Sequence, residues 1–152
     1  MTDADAAARD RALDEVAGPG AVTLAGLWAT VDTDRTLGEL DARVGSPVAD
    51  DELLGARVTV IAATPSRPVL AIAEPSTEGR LALTLARHGE GLVGRYVAVA
   101  DDLTAARGRA AVRGIAVSRV GDGPFGRSML VLLGPASGPH MILCDPAVPS
   151  TP

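Results

Sequence analysis

The sequence predicts an α+β fold of two tandem βαβββ modules preceded by an extra N-terminal helix. Two internal echoes carry this reading. Ala71-Ile72-Ala73-Glu74-Pro75 is matched by Ile142-Leu143-Cys144-Asp145-Pro146, each an apolar run that ends in carboxylate-proline. Trp28-Ala29-Thr30-Val31-Asp32, opening the first half, is matched by Val97-Ala98-Val99-Ala100-Asp101 in the second. One alignment of the halves pairs Ala29/Ala98, Asp32/Asp101, Ala42/Ala111 and Gly45/Gly114. The next alignment, one step further along, pairs Asp32/Asp102, Gly38/Gly108 and Arg43/Arg113. The register of the repeat is therefore open by a single step. A duplicated unit of this size is two copies of one supersecondary element around a shared core, and the space between them is where function is sought.

The elements follow in order. Thr2 can cap a helix over Ala4–Val16 that ends at Gly18-Pro19-Gly20; its apolar face is mostly alanine, suited to lying on the domain or on a partner subunit. Val22–Val31 reads as a strand. Asp32 or Asp34 caps a helix to about Val44, stopped by Gly45-Ser46-Pro47. Arg57–Ala63 and Pro68–Ala73 are β-rich runs joined through Thr64-Pro65-Ser66-Arg67, a hairpin pattern. Thr77–Arg87 is a connecting helix ending at His88-Gly89. The second half repeats the order: strand Arg95–Ala100, helix Leu103–Arg113 capped by Asp101 or Asp102 and ended by Gly114, strand Ile115–Val120, a glycine-rich loop Gly121–Gly126, and strands Ser128–Leu133 and His140–Cys144. The organisation is an extension over 1–20, a domain over 21–146 (module one 21–76, linker helix 77–91, module two 92–146) and a disordered tail over 147–152.

Composition sets limits on function. The chain has 152 residues, 47% of them hydrophobic, with a mean hydropathy of +0.22, enough for one domain with a substantial core. Trp28, Tyr96 and Phe125 are the only aromatic residues, so the core is aliphatic. Net charge is −5 and the arginines are scattered, which gives no footprint for nucleic acid. Cys144 stands alone, excluding an internal disulfide and a cysteine zinc cluster. No apolar run is long enough to span a bilayer and no signal core opens the chain, so the expectation is a cytoplasmic protein that contacts no membrane.

The ordered set Val31-Asp32-Thr33-Asp34-Arg35-Thr36, Glu74-Pro75-Ser76-Thr77-Glu78-Gly79-Arg80, Arg87-His88-Gly89-Glu90-Gly91 and Val99-Ala100-Asp101-Asp102-Leu103-Thr104-Ala105-Ala106-Arg107, with the closing stretch Gly134–Pro146, resembles the vicinal oxygen chelate superfamily. This is the glyoxalase and bleomycin-resistance fold; the carboxylate-proline end, short helix and His-Gly-Glu-Gly most resemble relatives of methylmalonyl-CoA epimerase. The resemblance implies that the two modules curl into a cup-shaped mixed sheet. It also implies a divalent metal inside, held by a His or Glu from the first strand and a Glu from the last strand of each copy. Such a cation polarises substrate oxygens through open coordination positions. In this chain those positions fall on Ala25 and Arg95, or on a neighbour if the register slips, and on Ala71 and Ile142, none of which binds a cation. The expectation is a protein without metal or other cofactor.

Strand alternation gives the lining that follows from this resemblance. His140, Ile142 and Cys144 share a face, Ala71 and Ala73 line the same cup, and so do Ala25 and Leu27, with Arg95 and Val97 pointing inward. A broad apolar cavity with one imidazole and one guanidinium would result. His140 would serve as general acid or base and Arg95 would hold an oxyanion, a pair suited to proton transfer beside a carbonyl. The alternative is that His140 merely starts a strand and Arg95 is a surface residue. Arg80 and Arg87 share a helix face, either solvated or a tether for a coenzyme-A-like phosphate.

Three functions follow. The first is a metal-independent protein that binds an apolar small molecule in its cup, as an isomerase, epimerase or cyclase of specialised metabolism. The second is a non-catalytic small-molecule or antibiotic-binding resistance protein, and the third a metal-dependent epimerase or lyase with relocated ligands. The resemblance also implies a homodimer.

Overall fold

The computed structural model describes residues 3–42, 47–133 and 138–145. The expected cap Thr2, the stop at Gly45-Ser46, most of the turn before His140 and the tail lie outside them. The elements are α1 (Asp3–Ala17), β1 (Val22–Ala29), α2 (Thr33–Glu39), β2 (Ala49–Asp51), β3 (Ala56–Ile61), β4 (Leu70–Pro75), α3 (Arg80–His88), β5 (Gly91–Ala98), α4 (Leu103–Val112), β6 (Ala116–Val117), β7 (Gly121–Gly123), β8 (Gly126–Leu132) and β9 (His140–Cys144). The strands make one strongly curled mixed sheet in the order β2-β3-β4-β1-β5-β9-β8-β6, with β7 paired to β8.

Both registers found in the sequence are real, in different elements. β1 (Val22–Ala29) and β5 (Gly91–Ala98) are related by the register that pairs Ala29 with Ala98. The helix caps Asp32 and Asp102 are related by the next one. Leu27 pairs with Ala71 in module one and Tyr96 with Ile142 in module two, so the closing strands are related by a third register, one step further again. Module two thus gains one residue between its first strand and its helix cap, and one more between that cap and its closing strand. Asp102 is the cap of α4, accepting from the Ala105 N–H at 2.7 Å, while Asp101 pairs with Arg109 at 2.6 Å.

The carboxylate-proline ends have a structural task. Glu74 Oε1 accepts the Thr33 N–H at 2.9 Å, and Asp145 Oδ1 accepts the Leu103 N–H at 3.0 Å. Each carboxylate thus satisfies a free donor in the first turn of its module's helix, where negative charge is also favoured by the helix dipole.

The sheet separates two apolar layers. On the concave face Ala25, Leu27, Ala29, Ala71, Ala73, Tyr96, Ile142 and Cys144 pack with Leu54 and Leu81. On the outer face of module two, Leu13, Val16 and Ala17 of α1 pack with Val97, Val99, Met129 and Met141 and with Ala106 and Ala110 of α4. The N-terminal helix is therefore laid on its own domain. Arg109 holds its end, donating to the Val16 and Ala17 carbonyls at 2.9 and 3.0 Å. Among the described residues no helix is long and apolar enough to cross a membrane.

Three expectations change. α2 stops at Glu39 rather than near Val44, because the chain turns at Leu40 and Asp41 adopts a positive φ of 49°. The predicted loop Gly121–Gly126 is a tight hairpin: Gly123 pairs with Gly126 across Pro124-Phe125, and Gly126 takes the φ of +97° that the turn requires. The strand expected over Ile115–Val120 shrinks to Ala116–Val117.

Candidate functional site

The concave face is a filled core and not the broad cavity expected. Leu27, Ala71, Ala73, Tyr96 and Ile142 have no exposed surface, and neither do Leu54 from the turn after β2 and Leu81 from α3. Two features close the space. α3 lays Leu81 and Leu85 on the concave side. The two ends of the sheet also meet, since the Glu52 N–H donates to the Asp122 carbonyl at 3.0 Å, joining β2 to β7. A sheet of about eight strands that curls this far leaves an interior just wide enough for side chains.

The single-step difference in register decides where β5 points. Ala25 corresponds to Gly94, not to Arg95. Tyr96 faces inward with Val93, while Arg95 and Val97 face outward, the reverse of expectation. Arg95 bonds Asp14 of α1 at 3.1 Å, and Val97 packs beneath α1. Gly94 is glycine because a Cβ there would lie 2.1 Å from the His140 carbonyl oxygen. Ala25, Leu27, Ala71, Ala73, Ile142 and Cys144 do face the interior. The four positions that the resemblance gives to a metal thus carry Ala25, Gly94, Ala71 and Ile142, with no donor side chain. Among the described residues no group of three or more His, Cys, Asp or Glu is placed to hold a metal ion.

His140 is buried at the start of β9, and its Nε2 lies 2.8 Å from Thr84 Oγ1 on α3. The Thr84 hydroxyl donates its proton to the Arg80 carbonyl at 2.8 Å, so His140 Nε2–H is the donor in this pair. Burial, then the positive charges of Arg80, Arg9 and His88, push the imidazole down to about 4, leaving it neutral at physiological pH. Its Nε2 is engaged by Thr84 and the Arg95 guanidinium by Asp14, so the two do not form the expected pair. Burial also pushes the Cys144 thiol up to about 12, with Asp51 and Asp145 adding to the effect, so the nucleophilic thiolate does not form.

The polar group that sequence reasoning missed is Asp51. Its carboxyl is 1% exposed and sits inside the closed sheet. Asp51 Oδ2 accepts from the Tyr96 hydroxyl at 2.7 Å, and Oδ1 accepts the Leu53 and Leu54 N–H groups, each at 3.0 Å. The Tyr96 ring meets Phe125 edge-on with centroids 5.1 Å apart. Burial raises the Asp51 pKa against the lowering effect of these bonds and holds the Tyr96 phenol well above its ordinary value. The pattern Asp50-Asp51-Glu52 before an apolar pair reads as a solvated turn, so the signal was present but pointed outward.

The remaining candidates are structural or exposed. Glu90 bonds the Val31 N–H and the Thr30 hydroxyl, both at 2.9 Å, and pairs with Arg35, which together lower its pKa. His88 and Arg87 lie exposed at the end of α3. An open groove of about 730 Å³ lies along β1 instead, walled by Trp28, Leu40, Pro68 and Leu92.

No protein-family model and no curated protein sequence matches the chain. Solved structures do. A hypothetical protein of Bacillus halodurans C-125 superposes with a TM-score of 0.70 at 14% identity, over 88% of this chain and all of that one. Methylmalonyl-CoA epimerase from Mycobacterium tuberculosis gives 0.65 at 20% identity, over 81% and 86% of the two chains. A variant of the Streptomyces coelicolor methylmalonyl-CoA epimerase in complex with 2-nitronate-propionyl-CoA gives 0.67 at 21%, over 86% and 98%. At these identities the likeness is one of fold: this chain shares with those structures the cup of two tandem βαβββ modules.

Proposed function

We propose that the protein is a metal-independent member of the glyoxalase fold that binds an apolar small molecule in its cup without transforming it. One observation carries the reading: Ala25, Gly94, Ala71 and Ile142 occupy the positions implied for metal ligands, and Leu54 and Leu81 fill the space beside them. An apolar ligand would take the place of these two leucines when the seam between β2 and β7 parts. Among the described residues, that seam carries one backbone bond, Glu52 to Asp122, and the exposed pair Arg119–Glu52 at 3.5 Å. The test is a thermal-shift screen of apolar compounds together with metal analysis of the purified protein. Saturable stabilisation without product and without stoichiometric metal supports the reading. Stoichiometric metal, or loss of binding on EDTA treatment, overturns it.

A second reading, an isomerase, epimerase or cyclase acting by proton transfer, draws support from the buried Asp51–Tyr96 pair rather than from His140 and Arg95. A carboxyl with a raised pKa in apolar surroundings suits general acid-base work. Turnover that Asp51→Asn removes would favour it. The resemblance also motivates a homodimer, which sedimentation tests; the cytoplasmic location expected from the sequence is tested by cell fractionation.

A further inference from the structure

The groove on the outer face is the unfilled counterpart of a seat that α1 already occupies. In the register of the first strands, Gly94, Arg95 and Val97 of β5 correspond to Ala25, Gly26 and Trp28 of β1. In the register of the closing strands, Pro139 and Met141 beside β5 correspond to Pro68 and Leu70 beside β1. In the register of the helix caps, Ala110 of α4 corresponds to Leu40, the C-cap of α2. The first set lies under α1. Leu13, Val16 and Ala17 pack in one cluster with Val97, Ala110 and Met141, and Arg9 donates to the Pro139 carbonyl at 3.2 Å. The second set, Ala25, Gly26, Trp28, Pro68, Leu70 and Leu40, lines the open groove of about 730 Å³. The same surface is thus built twice, and one copy is covered by a helix.

We propose that this groove seats an amphipathic helix of a partner protein, with the small apolar stripe and acidic flank that α1 presents. The fit is that of a helix lying in an apolar groove. On its own seat α1 adds Asp14 to Arg95 and Glu15 to Arg113, so acidic side chains border its apolar stripe. The open groove is bordered by Arg67 and has no carboxylate among its lining residues, which suits the same charge pattern; Arg95 at its other edge is already paired with Asp14. Leu92 stands 64% exposed at the rim, an apolar contact left for the incoming helix. The chain's own α1 is committed to module two through Arg9, Arg109 and Arg113, so the occupant comes from another protein.

Trp28 is the chain's one tryptophan and lines the groove, so its emission reports occupancy. The probe is a synthetic peptide of residues 3–17, which has no aromatic residue, titrated into the full chain. The expected result is a saturable blue shift with half-saturation below about 1 mM. Gly26→Leu should abolish it, because a side chain there runs against Leu70 and against Leu92 at the rim. Leu92→Glu, at an exposed position that leaves folding intact, should weaken it at least about tenfold through repulsion of the acidic flank. No shift at several times that concentration, or a shift unchanged in both variants, overturns the proposal. So does sedimentation showing a dimer that both variants dissociate, which would make a second copy the occupant. A shift produced by dodecanoate but not by the peptide also overturns it, in favour of a small molecule.

Discussion

The Tyr96 hydroxyl donates to Asp51 Oδ2 at 2.7 Å inside the closed sheet, tying β5 of module two to β2 of module one. The carboxyl is also the acceptor for two backbone N–H groups at the turn that carries Leu54, so one side chain holds the turn and crosses the duplication.

Asp51→Ala should cost about 3 kcal/mol, because it strands a buried phenol, the buried Leu54 N–H and the half-buried Leu53 N–H. Asp51→Asn keeps the acceptor for the two N–H groups and should cost about 1 kcal/mol or less at neutral pH. The raised pKa means that the folded protein holds the Asp51 proton more tightly than the unfolded chain does. This group therefore opposes folding as pH rises above the ordinary aspartate value, and Asp51→Asn should remove that part of the pH dependence. Urea denaturation of the three proteins across pH checks both statements.

His140 gives a slope of the opposite sign. Its folded-state value of about 4 lies below the ordinary imidazole value of 6.5, so the unfolded chain takes up the proton first as pH falls. Stability from this residue is complete above pH 6.5, declines between 6.5 and 4, and is lost below. Between pH 7 and pH 4.5 the loss should be roughly 2 to 3 kcal/mol. His140→Gln should show a shallower decline in the same denaturation series; an unchanged slope would remove the assignment.

The two helix-capping carboxylates should behave alike. Glu74→Ala and Asp145→Ala each remove one acceptor from a helix N-terminus and should each lower stability by about 1 kcal/mol. The sites lie in different modules, so the double variant should be close to additive. Strong non-additivity in thermal unfolding would mean that the two ends are coupled.

Leu81→Ala empties part of the filled cup. The expected loss is about 2 to 5 kcal/mol, and the space created should bind a small apolar molecule such as benzene, detected as a larger stabilisation of the variant than of the parent chain. Stabilisation of both to the same extent would show that the cup is already open.

Much of this architecture is legible in one dimension. The duplication, the order of the elements, the helix caps to within Asp32 or Asp34 and Asp101 or Asp102, and the paired ends at Glu74 and Asp145 follow from local rules, because turns, caps and strand alternation depend on a few neighbouring residues. The direction of β5 is not legible. The three registers of the repeat differ by single steps in the connections, and in a strand each such step reverses the face of a side chain. The register implied by the resemblance therefore points Arg95 inward, whereas the structure turns Arg95 outward to Asp14 and buries Tyr96 inside.

The state of the cup depends on tertiary structure alone. Alanines at 25, 71 and 73 announce room, but nothing local says what enters it. Leu54 and Leu81 arrive from a turn and a connecting helix once the sheet has curled far enough for Glu52 to meet Asp122, and Asp51 is buried by the same closure. Packing joins residues far apart in sequence, and so the chain announces a cup while only the folded molecule shows it filled.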